Sequence, residues 1–160
     1  MTVSFAAGAS LVFACSLGVS VSLLSEKRKR ISHTEAILGM ISHVRSNIDH
    51  FLTPVDGIFA EFRNETLESC GFSAVLRDSG INGAVGSHTA SLSDETEAIL
   101  SYFSRSLGGG YKDDQLSLCD YCSEKIEAEL KRERDELKRN LTAYRFAPPI
   151  FALFIILCFL

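Results

Sequence analysis

Residues 37–51 read ILGMISHVRSNIDHF, and this stretch decides the fold class of the chain. Its large apolar side chains recur at alternating steps of four and three residues: Ile37, Ile41, Val44, Ile48 and Phe51. That spacing places them on one face of an α-helix. No glycine or proline stands between Leu24 and Leu38, so we expect this helix to continue from the apolar segment that precedes it.

The following segments also predict helices. Thr53 is expected to cap a second helix, with Pro54 at its first helical position. Ser93 is expected to cap a later helix that ends at Gly108-Gly109-Gly110, where a turn leads into an antiparallel neighbour. A last helix is predicted from about Asp113 to Phe146, because its apolar side chains return every three or four residues. The sequence therefore predicts an all-α antiparallel helical bundle.

One part of the middle segment has a weaker pattern. Gly71, Gly80, Gly83 and Gly86 interrupt the stretch 64–91 together with several Ser and Asn residues. This composition predicts a short helix around residues 72–77 and then a loop. A hairpin turn at residues 80–83 is the alternative, but no alternating strands flank it.

Charge divides the chain into three domains. All 16 basic and 20 acidic side chains lie between Glu26 and Arg145, and the clusters nearest the apolar ends are basic. Basic residues beside short loops stay on the cytoplasmic side of a bilayer. We therefore expect a transmembrane helix over residues 1–25, a cytoplasmic helical bundle over 26–145 and a second transmembrane segment over 146–160.

The two apolar ends differ as membrane anchors. The first has small residues at four-residue intervals, which form one ridge suited to close helix packing: Ala6, Ser10, Ala14, Gly18 and Ser22. The alternative is a marginal anchor that is merely rich in Ala and Ser. A cleaved signal peptide would instead carry its positive charges before the apolar run. The second end is short, and Pro148-Pro149 should break or kink the helix that enters it.

Few catalytic patterns are present in the sequence. The net charge of −4 and the mixing of acidic with basic residues lack the footprint of a nucleic-acid-binding protein. Cys119 and Cys122 could serve a membrane-tethered thiol redox protein, but both fall on the apolar stripe of the last helix, which favours core packing. No metal-ligand cluster, nucleophile motif or dinucleotide loop appears. We expect a non-enzymatic protein without a cofactor; a secreted helical adhesin, formed after signal cleavage, is a further alternative.

Several of these features resemble stage III sporulation protein AB of endospore-forming Firmicutes. Thr53-Pro54 opens a helix at the corresponding place, and Phe103, Leu107, Gly108 and Gln115 match a Phe-Gly-x-x-Leu-Gly-x-x-Asp-x-x-x-Gln pattern. Ser104 replaces the glycine of this pattern, and Tyr111 replaces its aspartate, with Asp113 and Asp114 nearby. The likeness covers almost the whole chain.

The resemblance implies a bundle similar to the cytoplasmic domains of type II secretion and type IV pilus platform proteins. It further implies a scaffold in the mother-cell membrane around the forespore, within the secretion-like complex that connects the two cells. The implied partners are other membrane subunits of that complex and its cytoplasmic ATPase. A homo-oligomer is also possible on this interpretation, and no nucleic-acid partner is expected.

Overall fold

The computed structural model describes the backbone of residues 2–50, 55–87 and 92–158, and all regular secondary structure in these ranges is helical. The helices are α1 (Thr2–His50), α2 (Val55–Glu61), α3 (Glu65–Ser69), α4 (Phe72–Ser87), α5 (Asp94–Ser106) and α6 (Lys112–Cys158). The all-α prediction is therefore confirmed. The continuation of the first helix through Leu24 and Leu38 is confirmed as well.

Two compact units divide the chain. One is the segment Arg30–Glu133, and the other is formed by the two chain ends, up to Lys29 and from Arg134 onward. In the segment Arg30–Glu133, hereafter the helical domain, α1 and α6 run antiparallel. Thr34 contacts Glu133, and further along α1, Arg45 contacts Asp120 and Asp49 contacts Lys112.

The core of the helical domain is built from the apolar stripes of its helices. The predicted stripe of α1 is buried at Ile37, Ile41, Val44 and Ile48. The stripes of α5 and α6 contribute Leu100, Phe103, Cys119, Cys122 and Ile126, all of them without measurable exposure. Burying a large apolar side chain stabilises a fold by about 1.5–3 kcal/mol, so these helices are held mainly by packing.

The chain between Asn64 and Ser87 differs from the prediction. The Asn64 side chain accepts a hydrogen bond from the Leu67 N–H and caps the short helix α3. Helix α4 then extends to Ser87, so the loop predicted after Arg77 is wrong. Ile81, Ala84 and Val85 are buried in the core, and this packing offsets the low helix propensity of the neighbouring glycines.

Gly80 joins the two halves of α4. Its backbone has φ 69° and ψ −176°, a conformation that is almost restricted to glycine. A Cβ atom at Gly80 would meet no other atom within 4 Å, so the restriction comes from the backbone and not from crowding. The kink lets residues 72–79 and 81–87 each turn an apolar face to the core.

Helix α6 continues through Pro148-Pro149, so of the predicted break or kink the break does not occur. A proline removes one intrahelical hydrogen bond at a cost of about 3 kcal/mol, which is a local penalty. Helices accommodate such a residue by bending instead of ending.

Among the described residues, no helix has a stretch long and apolar enough to cross a bilayer.

Two glycine substitutions test the kink of α4, one at Gly80, which has a positive φ, and one at Gly39, which has a helical backbone. Gly80→Ala should lower the free energy of unfolding by about 1–3 kcal/mol, because alanine is strained at this φ and ψ. Gly39→Ala is the matched control, since Gly39 is helical and its added Cβ would meet nothing within 4 Å. The control should stabilise the chain by about 0.5–1 kcal/mol. Urea unfolding of the two variants measures both effects, and equal effects would contradict the role of the kink.

Candidate functional site

The Gln115 side chain closes the turn between α5 and α6 through hydrogen bonds to the backbone, one of them to the matched residue Gly108. Its Oε1 accepts a hydrogen bond from the Gly108 N–H at 2.9 Å, and its Nε2 donates to the carbonyl oxygen of Gly109. A third contact joins Nε2 to the Ser106 carbonyl oxygen at 3.5 Å. The Gln115 side chain is only 8% exposed. It therefore takes the place of water as the partner of the Gly108 N–H and the Gly109 carbonyl oxygen in the turn after α5.

The same turn also prepares the start of α6. Gly108 and Gly110 have φ values of 86° and 87°, which L side chains rarely adopt. Asp114 lies in the first turn of α6, and its Oδ2 accepts from the Tyr111 N–H at 3.1 Å. A carboxylate at this position satisfies an N-terminal backbone donor and suits the positive end of the helix dipole.

A salt bridge fastens this end of the helical domain to α1. The Lys112 ammonium group donates to the Asp49 carbonyl oxygen at 2.6 Å and lies 3.1 Å from its Oδ1. The hydrogen bond from Lys112 lowers the pKa of the Asp49 carboxyl group. Both side chains are more than a third exposed, so the pair contributes more to geometry than to stability.

A cleft of about 700 Å³ opens beside the turn, and we call it the Gly80 cleft. Leu107 and Gly108 of the motif line it together with Phe59 of α2 and residues 76–82 of α4. Its wall mixes apolar side chains with Arg77 and Asp78. The motif turn and the kink of α4 thus face one recess, although they are far apart in the sequence.

A buried polar cluster ties the start of α5 to α6. The Ser93 hydroxyl donates to Glu129 Oε1 at 3.1 Å, and Arg132 donates to the same oxygen at 2.7 Å. Ser93 also caps α5 by accepting from the Thr96 N–H at 3.2 Å, which confirms the predicted cap. Glu129 has a side-chain exposure of 5%, and its charge is compensated by Arg132, whose side chain is 59% exposed.

Cys119 and Cys122 lie in the core with no measurable exposure. Burial raises the pKa of both thiols to about 11, and for Cys119 the neighbouring Cys122 adds to the effect. A reactive cysteine needs a lowered pKa and access to solvent. The environment of this pair is that of core side chains.

The other predicted site residues have different outcomes. Thr53 and Pro54 lie outside the described residues, whereas Phe103 is fully buried and Leu107 packs against the core. The backbone of the small-residue ridge is helical in α1, but the side chains of Ala6, Ser10 and Ala14 lie outside the described part. Gly18 and Ser22 are exposed, and a Cβ on Gly18 would meet nothing within 4 Å.

Sequence reasoning missed two features of this domain. The Gly80 cleft could not be predicted, because the part of α4 after residue 77 that lines it was predicted to be a loop. Glu129 was not singled out, because it lies just before the charged run 131–136, which predicts a solvated helix face. The signal that could have found Glu129 is its spacing, since it lies three residues after Ile126 and seven after Cys122 on the buried side.

Comparisons with known proteins identify no relative: no protein-family model, no curated protein and no solved structure matches the chain.

Removal of the Gln115 side chain tests its role in the turn. Gln115→Ala should lower the free energy of unfolding by about 1–3 kcal/mol, because it removes the hydrogen bonds to Gly108 and Gly109, each of which contributes about 0.5–1.5 kcal/mol. Ser117→Ala, at an exposed position two residues further along α6, should have a free energy of unfolding within about 0.5 kcal/mol of that of the parent chain. Urea unfolding of both variants decides the point. A loss no larger than that of Ser117→Ala would contradict the structural role of Gln115.

Alkylation and pH dependence test the cysteine assignment. In the folded chain, iodoacetamide should modify the half-buried Cys70 well before Cys119 or Cys122, as measured by mass spectrometry of the peptides. The buried thiols stay protonated up to about pH 11, while in the unfolded chain they ionise near their ordinary pKa of 9.0. Stability should therefore fall as pH rises from about 9 towards 11.

The double variant Cys119→Ala and Cys122→Ala is the control for this pH dependence. Above pH 9 the stability of this variant should fall less steeply than that of the parent chain, because the two buried thiols are gone. Part of the decline should remain, because the other titrating groups are unchanged. Alkylation of Cys119 as fast as that of Cys70 in the folded chain would show that the pair is accessible.

Proposed function

We propose that this protein is a non-catalytic, membrane-anchored scaffold of the secretion-like complex between mother cell and forespore. The observation that carries the proposal is the role of the motif residues in the helical domain. Phe103 packs in the core, and Gln115 closes the turn through backbone hydrogen bonds. Residues used in this way stabilise a surface for partners and leave no free group for chemistry.

Two membrane anchors belong to this proposal, with the helical domain in the cytoplasm. Val21, Leu23 and Ile150, in the unit formed by the chain ends, are large apolar side chains with exposures of 67%, 45% and 63%. Arg28, Lys29 and the apolar Val21 line one recess of this unit. A border between exposed apolar and basic side chains is typical of a membrane interface.

The proposed location is the mother-cell membrane around the forespore, and the proposed partners are other membrane subunits and the cytoplasmic ATPase of the complex. The resemblance to stage III sporulation protein AB supports this assignment. The end of the helical domain at the α5–α6 turn offers a docking region, because Tyr111 projects there with 85% exposure. Exposed tyrosines are common at the centres of protein interfaces.

Purification from sporulating cells tests the proposal. A tagged full-length chain should bring down a cytoplasmic ATPase and membrane proteins, and Tyr111→Ala should reduce the yield of the ATPase. Ser117→Ala is the matched control and should leave the yield unchanged, because its side chain is exposed but small. Normal spore counts after deletion of the gene, or a source organism that forms no endospores, would overturn the proposal.

The membrane topology has its own test. In a background without native cysteines, Ser117→Cys should react only with reagents that reach the cytoplasm, and Leu160→Cys only with reagents on the opposite side. Cytoplasmic reactivity at position 160 would exclude the two-anchor topology. An intact N-terminus by mass spectrometry would exclude the secreted adhesin.

A further inference from the structure

The exposed face of α5 carries a pattern of charge and side-chain size that is complementary to itself when two copies of the helix pair antiparallel. Its exposed side chains include Glu95, Ala98, Tyr102 and Arg105, at steps of three, four and three residues. They therefore form one stripe along the outside of the helix. Within the described part of the chain, neither Glu95 nor Arg105 engages in an ion pair or a side-chain hydrogen bond.

We infer that a second copy of this chain covers this stripe, through a two-fold antiparallel pairing of α5 with α5. A two-fold axis beside position 100 pairs residue 95 with residue 105 and residue 98 with residue 102 of the other copy. The outer pairs then join opposite charges, and the inner pairs place a small side chain against a large one. The inference goes beyond the proposed scaffold function and does not depend on it.

The dimensions of an α-helix agree with this pairing. Glu95 and Arg105 are ten residues apart, or about 15 Å along the axis, so both charge pairs lie outside the central contact of Ala98 with Tyr102, which spans about one turn. Ala98 leaves room for Tyr102 of the other copy at the helix separation of about 8–10 Å that packed helices adopt. An isologous interface of this kind closes on itself and yields a dimer.

The neighbouring helix holds Tyr102 in place for such a contact. Tyr121 of α6 packs against it edge to face, with ring centroids 6.0 Å apart, and Lys125 lies 5.6 Å from the Tyr121 ring. Yet Tyr102 and Tyr121 are 53% and 50% exposed. Two ordered tyrosines with half of their surface in water are suited to be the energetic centre of an interface.

A second explanation of the charges must be separated from this one. Acidic residues in the first turn and Arg105 in the last turn of α5 also suit the dipole of the helix. That explanation requires no partner and makes no use of Ala98 and Tyr102. The two explanations differ in what happens when chains with reversed charges are mixed.

The experiment measures the mass of the full-length chain in detergent micelles by light scattering over a range of concentrations. The parent chain should be a dimer, and Tyr102→Ala should raise the dissociation constant at least about tenfold. Glu95→Arg and Arg105→Glu should each be as harmful, because each places like charges opposite one another. Tyr111→Ala is the matched control and should leave the dissociation constant unchanged, since Tyr111 lies off the stripe.

Mixing the two charge-reversed chains gives the decisive comparison. One variant then carries two arginines and the other two glutamates at positions 95 and 105, so every contact across the two-fold axis again joins opposite charges. Their mixture should recover a dissociation constant near that of the parent chain. A monomeric parent chain, or a dimer that Tyr102→Ala and charge reversal leave intact, would overturn the inference. A mixture that does not recover the parent dissociation constant would favour the dipole explanation and would also overturn the inference.

Discussion

The helical domain depends on the hydrogen bonds of Gln115 at the turn between α5 and α6. This turn reverses the chain in five residues, and its glycines supply the conformations that other residues rarely adopt. The Gly108 N–H and the Gly109 carbonyl oxygen lie in this turn, beyond the last residue of α5, and Gln115 satisfies both from inside the fold. Only with this reversal can the stripes of α5 and α6 face the same core as the stripe of α1.

Buried polar contacts set the register further along the same helices. Apolar stripes allow neighbouring helices to slide by a turn at little cost, whereas a buried carboxylate has few positions in which its charge is compensated. The hydrogen bond from Ser93 to Glu129 forms only when α5 and α6 are aligned as observed, whereas Arg132 contacts Glu129 within α6 itself. The capping residue of α5 thus has two roles, since one hydroxyl starts the helix and also fixes its neighbour.

The sequence predicted those parts of the fold whose periodicity and packing agree. The stripe from Ile37 to Ile48, the Ser93 cap and the turn at Gly108 follow from local rules, and each is found in the structure. The second half of α4 does not follow, because Ile81 and Val85 form a helix only through burial against other elements. The candidate cleft was missed for the same reason, since a recess belongs to no single segment of the sequence.

The chemistry open to a Cys-x-x-Cys pair in a helix depends on whether the pair lies on the buried or the exposed face. Three residues of helix bring Cys119 and Cys122 to the same face, and the stripe of α6 turns that face to the core. A redox pair commonly gains acidity from a helix N-terminus. Here α6 begins at Lys112, about two turns earlier, so burial dominates and the pKa of each thiol rises instead. The same spacing that suggested chemistry therefore contributes to the packing of the helical domain.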